Sequence, residues 1–333
     1  MTAPSVAIKE IQEKKVFIRE KINLQRIKDL GHEHLIKLIA SVENGVLPCF
    51  IFPWAEGGNL WEFWQREDSS PRTNAFILWL LKELLGLIDA VRVLHERNIR
   101  HGAIKPQSIL HFTSPLPGKR ASQRGTLVLA SVGVSKAHSV PTGLRNAGTN
   151  TVEVTILYEA PEAEYEWRQD QPRSRSYDIW ATGCTLLDLV VWLLYGFGAV
   201  MVFRRQRISN KDDPTVVPGN FFREKKGQTR IHPKVKMAIK LLRNDPRCAE
   251  GTAMSDLLDL IEARLLRIDP RERAKASELH DKLQDIVNRA QRDHSYLWRA
   301  SSTSPEIPKF FVRKKSRQNS DFSAASSGSS ASD

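Results

Sequence analysis

Residues 99–110 read IRHGAIKPQSIL, and the segments around this stretch set its context. Upstream, apolar residues recur from Phe76 through Leu94 while Lys82, Glu83, Asp89 and Arg92 fall on the other side, so an amphipathic helix is expected over Asn74 to Asn98. Downstream, Pro115, Pro117, Gly118, Lys119 and Arg120 make a basic, turn-rich insert. Further out, Cys49 to Phe52 has strand character. Helical periodicity is expected over Phe17 to Leu30, with Gly31 as its stop, over Met254 to Leu266, and over Ser277 to Arg292. Arg204 to Arg247 is basic and less regular, with Pro214 and Pro218 breaking it.

The chain has 333 residues, enough for one large domain or two small ones. Its formal net charge is +12. Such a charge suits an acidic partner such as nucleic acid, phosphoprotein or anionic lipid, or it reflects a basic surface and tail alone; no nucleic-acid readout motif accompanies it. Cys49, Cys184 and Cys248 are far apart and odd in number. This argues against disulfides and against a zinc site, and fits a reducing intracellular compartment, cytoplasmic or nuclear. His32 and His34 lie close together, but no third metal ligand is near them. The N-terminal MTAPSVAIKEIQ contains no apolar run of signal-peptide length. Ile179 to Phe203 is long and apolar enough to cross a bilayer, yet Asp188 near its middle favours a buried helix over a transmembrane span. From about Tyr296 the composition turns to Ser, Pro and Lys/Arg, and disorder is expected there. The serine-rich tail with Arg313, Lys314, Lys315 and Arg317 suits phosphorylation or a nuclear address, or is a plain solvated tail.

The 99–110 stretch resembles the catalytic loop of eukaryotic protein kinases, H-R-D-L-K-P-x-N-I-L. His101, Lys105, Pro106, Ile109 and Leu110 match it, whereas Gly102 stands at the Arg, Ala103 at the catalytic Asp and Ser108 at the metal-holding Asn. Other pieces follow in family order: VAIK at 6–9, EGGNL at 56–60, Ser131-Val132-Gly133 where the family has D-F-G, YEAPE at 158–162, DIWATGC at 178–184 and DPRER at 269–273. The resemblance implies a two-lobed α+β fold. Its expected parts are a truncated N-lobe over residues 1–52, a hinge over 53–58, a mainly helical C-lobe over 59–292 and a disordered Ser-rich basic tail over 293–333.

For the nucleotide site, the resemblance implies Lys9 as the phosphate-contacting lysine, Glu20 as its helix partner, Phe52 as gatekeeper and Ala55 in the hinge. Pro53 lacks an N–H and removes one hinge donor. Only eight residues precede Lys9, too few for the two strands and Gly-rich loop of the family, so either the lid is lacking or an upstream part is missing. Glu162, Asp178 and Arg273 fall at structural positions: a Glu–Arg pair and a brace for the catalytic loop.

The substitutions strike at the chemistry. Ala103 has no oxygen to accept a substrate proton, and Ser131 and Ser108 offer neutral hydroxyls where magnesium wants charge. Each loss should slow turnover roughly a thousandfold or more. Gly102 also removes the Arg that would pair with a phosphorylated activation segment. Lys105 is retained. ATP is the implied cofactor, with magnesium deprived of its ligands. The expectation is a pseudokinase that binds protein partners and transfers little phosphate. An active or weakly active ATP-dependent Ser/Thr kinase, and a basic nucleic-acid or lipid-binding protein, are the alternatives.

Overall fold

The first strand, β1 (Val6–Glu10), alternates its side chains between two faces of a small sheet. It pairs antiparallel with β3 (Cys49–Pro53), whose other edge takes β2 (Ala40–Val42), giving the order β1-β3-β2. Pro53 is the last residue of β3, opposite Val6, so the strand runs one residue into the expected hinge. Between β1 and β2 lies α1 (Lys14–Lys28), which buries Phe17, Glu20, Leu24 and Ile27. Phe17 stacks on Phe50 of β3 with ring centroids 4.6 Å apart. The helix starts three residues earlier than its apolar period suggested, and Gly31 takes φ 59° just beyond its end.

The computed structural model describes residues 5–43, 47–114, 123–131, 157–163, 174–208, 220–225, 227–299 and 306–313. The insert at 115–120, Val132, Gly133 and most of the expected activation segment, Pro214, Pro218, and the tail from Lys314 lie outside the described residues.

The EGGNL phrase proves to be a helix start. Asn59 caps α2 (Leu60–Arg66): its Oδ1 accepts the Glu62 N–H at 3.1 Å while Glu62 Oε2 accepts the Asn59 N–H at 3.0 Å. Next comes α3 (Asn74–Glu96), capped by Thr73, then an antiparallel pair, β4 (Ile109–Phe112) and β5 (Thr126–Leu129).

The central helix, α4 (Ser176–Ile208), is buried from Tyr177 through Tyr195. By length and composition it could cross a membrane, but 78% of its most apolar window is buried inside this fold. It kinks at Gly196, where φ is 83°, and Asp68 Oδ1 accepts the Phe197 N–H at 2.6 Å to restart the turn.

Two expectations for the C-terminal half need correction. The 204–247 region is regular in large part: β6 (Phe222–Lys225) and β7 (Gln228–Ile231) form a hairpin, and α5 (Pro233–Arg243) buries Val235, Ala238, Ile239 and Leu242. Its dense lysines sit on the outer face and mask that apolar spacing. After α6 (Ala253–Leu260), with a π turn at Ile261–Leu265, α7 (Ala276–Arg292) packs along α3. The chain beyond 293 is not uniformly disordered. Tyr296, Leu297 and Phe311 are buried, and the Phe311 ring lies 5.0 Å from Tyr195. A few aromatic anchors in a Ser-rich context are diluted in any composition average, yet each buries a large apolar area.

Candidate active site

α3 ends at Glu96, and Asn98 turns the chain through φ 57° into the 99–110 loop. The loop hangs on Asp178, which is fully buried. One oxygen, Oδ2, accepts the His101 N–H at 2.8 Å and lies 2.8 Å from His95 Nε2; the other, Oδ1, accepts the Gly102 N–H at 2.7 Å. Burial alone would raise this carboxyl, but the His95 hydrogen bond, the neighbouring imidazoles and the Gly102 amide hold it below the ordinary carboxylate value. Gly102 sits at φ 79°, a conformation glycine adopts without strain. Burial drives His101 down to about 4, so its ring is neutral at pH 7 and its Nδ1 accepts the Ala103 N–H at 3.3 Å.

Ser108 is turned into the loop. Its hydroxyl shares a proton between the carbonyls of Ala103 (2.6 Å) and Lys105 (3.0 Å), and its oxygen accepts the Lys105 N–H at 3.1 Å. Lys105 is buried, which lowers its ammonium to about 8. Ala103, the residue after Gly102, carries only a methyl group, and its carbonyl accepts from Ser108. Ser131 follows β5 in an exposed position at φ 64°, unusual for a residue with a side chain.

On the small-sheet side, Lys9 Nζ stands 2.5 Å from Glu20 Oε1, and Glu20 is buried. Phe52 lies opposite Ala7 and joins two apolar clusters, one of Ile11, Phe17, Leu24 and Phe50, the other of Ile36, Phe112, Val128 and Ala130. Ala55 and Leu110 pack on the second cluster, so the junction between the lobes has an apolar floor.

Arg273 and Glu162 meet as a bidentate pair, Nη1–Oε1 2.6 Å and Nη2–Oε2 2.8 Å. The guanidinium also donates to the carbonyls of Ser176, Arg267 and Ile268.

Sequence reasoning passed over three features. Tyr158 donates to Asp188 Oδ2 at 2.8 Å, with Arg207 3.6 Å from the other oxygen, inside the apolar core. The signal was a lone Asp in an apolar run, read only as a mark against a membrane span. Glu83, placed with the solvated face of its helix, accepts the Leu127 N–H at 2.8 Å and is raised by burial to about 7. His34, set aside as a metal ligand, bonds the Leu127 carbonyl through Nδ1 at 2.7 Å.

The sequence pattern of the protein kinase domain matches residues 2–283. This chain belongs to the protein kinase family. Among known proteins it is similar to the serine/threonine-protein kinase TIO of Arabidopsis thaliana (28% identity over 174 residues, 52% of this chain and 11% of that protein). It is also similar to a probable myosin light chain kinase of Dictyostelium discoideum (26% over 220 residues, 65% of this chain, 38% of that protein). A third relative is the serine/threonine-protein kinase Sgk1-B of Xenopus laevis (27% over 191 residues, 57% of this chain, 37% of that protein). The chain thus corresponds to less than half the length of each of these three relatives. Among the protein kinases, a pocket of this kind takes ATP with magnesium. The Lys9–Glu20 pair and the apolar floor fit the nucleotide; the hydroxyls at Ser108 and Ser131 do not fit the metal.

Proposed function

We propose that this protein is a pseudokinase: a kinase-fold module that binds protein partners and has little or no phosphotransfer activity. The observation that carries the proposal is Ala103 in a loop otherwise fully braced by Asp178. A methyl group cannot orient or deprotonate a hydroxyl, so the step that a general base supplies is lost. Ser108, committed to the loop's own backbone, and Ser131 support the same reading, since neither brings negative charge to a divalent cation.

The Lys9–Glu20 contact favours a further element: adenine nucleotide binding that does not depend on magnesium. In that case ATP serves as a structural ligand of the cleft. A weakly active Ser/Thr kinase is the competing function.

The test is transfer of radiolabelled γ-phosphate to generic substrates by purified protein with magnesium ATP, with Lys9→Ala alongside. Wild type should give no transfer above the background of Lys9→Ala. Robust transfer that Lys9→Ala abolishes would overturn the proposal and establish an active kinase.

A further inference from the structure

We infer that the outer face of α5, with the β6–β7 hairpin beside it, is a docking surface for an acidic polypeptide that carries apolar side chains. The inference rests on reading the chain as a protein-binding module. It supplies the class of partner that the site around Ala103 does not specify.

Charge gives the first argument. α5 reads PKVKMAIKLLR: Lys234, Lys236, Lys240 and Arg243 without an acidic residue. Arg243 is held by Asp259 and Glu262. Among the described residues, Lys234, Lys236 and Lys240 have no acidic partner. Elsewhere on the large lobe some exposed arginines are matched to carboxylates, as in Arg264–Glu278, Arg267–Glu272 and Arg289–Asp256, while isolated exposed cations such as Lys82, Arg97 and Lys282 have no acidic partner among the described residues; what sets α5 apart is three such lysines on one face.

The hairpin extends the same field. Arg223 and Arg230 stand directly opposite each other across β6 and β7. Phe222 and Ile231, the neighbouring pair, pack on the core, so the arginine pair faces the other way. Like charges directly opposite on a ladder destabilise it. Arg230 finds only the neutral Gln228 side chain, and Arg223 has no acidic partner among the described residues. His232, the N-cap of α5, joins the two elements: burial and then the cations Arg207, Arg223 and Lys234 push it down to about 4. An acidic ligand would relieve a repulsion already present.

Shape and composition choose the class of polyanion. Met237 is 46% exposed and sits among Lys234, Lys236 and Lys240 on the outer face. An apolar centre with a charged rim is the layout of a protein interface, and methionine adapts well to a partner's side chains. A bilayer would require a row of exposed bulky apolar or aromatic residues, and α5 exposes one. Single-stranded nucleic acid would require exposed aromatic platforms, and Phe222, the aromatic of the hairpin, packs on the core.

The test uses the full chain and four probes at matched ionic strength: a peptide alternating glutamate and leucine, polyglutamate, duplex DNA, and phosphatidylserine vesicles. Two variants have the same change in net charge: Lys234→Glu/Lys236→Glu/Lys240→Glu, and, as control, Lys14→Glu/Lys15→Glu/Lys28→Glu on the exposed face of α1. The glutamate–leucine peptide should bind best, and the α5 triple should weaken it at least about tenfold, against less than about threefold for the control. Met237→Ala, which leaves the charge untouched, should remove the preference for that peptide over polyglutamate. Equal losses in the two triples, or tighter binding of DNA or vesicles than of either peptide, would overturn the inference. None of these outcomes bears on phosphate transfer, so failure here is distinguishable from failure of the pseudokinase reading.

Discussion

Replacing Glu83 with glutamine should make the protein more stable at neutral and alkaline pH, and the size of the effect follows from where the carboxyl sits. The side chain is only 12% exposed, and its Oε2 accepts the Leu127 N–H at 2.8 Å. Burial, the largest influence, raises the group from 4.5 to about 7; the Leu127 amide opposes this and the charge of Glu33 adds to it. The folded chain therefore binds this proton more tightly than the unfolded chain does. Below the unfolded value near 4.5 both states hold the proton and the carboxyl carries no penalty. As pH rises from there, the unfolded chain ionises first, and stability falls until the folded group ionises too, near 7. About 2.5 pKa units correspond to roughly 3 kcal/mol over that window. Glutamine keeps the acceptor oxygen and cannot ionise. For a domain of this size the variant should melt about 5 °C above wild type at pH 8 and level with it near pH 4.5. Thermal melts followed by circular dichroism across this range are the assay. Parallel curves for the two proteins would refute the reasoning.

Three further substitutions test how the fold is held. Arg273→Ala leaves Glu162 without its bidentate partner and three carbonyls without a donor, and should cost about 3–5 kcal/mol, read as a lower denaturation midpoint. Gly196→Ala places a Cβ 2.9 Å from Asp68 Oδ1 on a backbone at φ 83°, ψ 176°, a region essentially reserved for glycine, and should lower stability by about 1–3 kcal/mol by the same measurement. Phe311→Ala should cost about 3 kcal/mol and raise protease sensitivity beyond Leu297; an unchanged melt would mean that Phe311 does not pack against Tyr195 in solution.

What could be read from the chain depended on how local its cause was. α1, α3, α6 and α7 announce themselves because one face of each must be apolar, and period alone carries that information. The capping box at Asn59 and Glu62 is equally local, three residues wide. The contact between Lys9 and Glu20 spans eleven residues, and only the family resemblance suggested a pairing whose distance the structure supplies. Glu83 was misread because its partner is the amide of Leu127, 44 positions away; on a helical wheel a half-buried carboxylate looks the same as a solvated one. The α5 apolar stripe was hidden by lysines, and the anchors Tyr296 and Phe311 by serines. In each miss, composition averaged over the few positions that bury area.

The bracing of the 99–110 loop does not depend on what stands at 103. Asp178 holds it through two backbone amides and His95, so losing a carboxylate at Ala103 removes no contact that keeps the loop in place. Chemistry and shape are therefore separable here, and the order in which chemistry should return can be stated. Ser131 already occupies the left-handed region at φ 64°, which Asp tolerates better than most residues, so Ser131→Asp should fold with little loss of stability. It adds the charged oxygen that magnesium needs and should make the ATP-induced rise in melting temperature depend on magnesium. Transfer should stay at background in that variant, because Ala103 still offers no acceptor, and should emerge only with Ala103→Asp added. A Ser131→Asp protein that phosphorylates substrates without a change at 103 would mean that another group supplies the base, and the assignment of the missing step to Ala103 would fail. A Ser131→Asp protein that gains no magnesium dependence would instead place the fault in the metal geometry, where Ser108 is tied to its own loop.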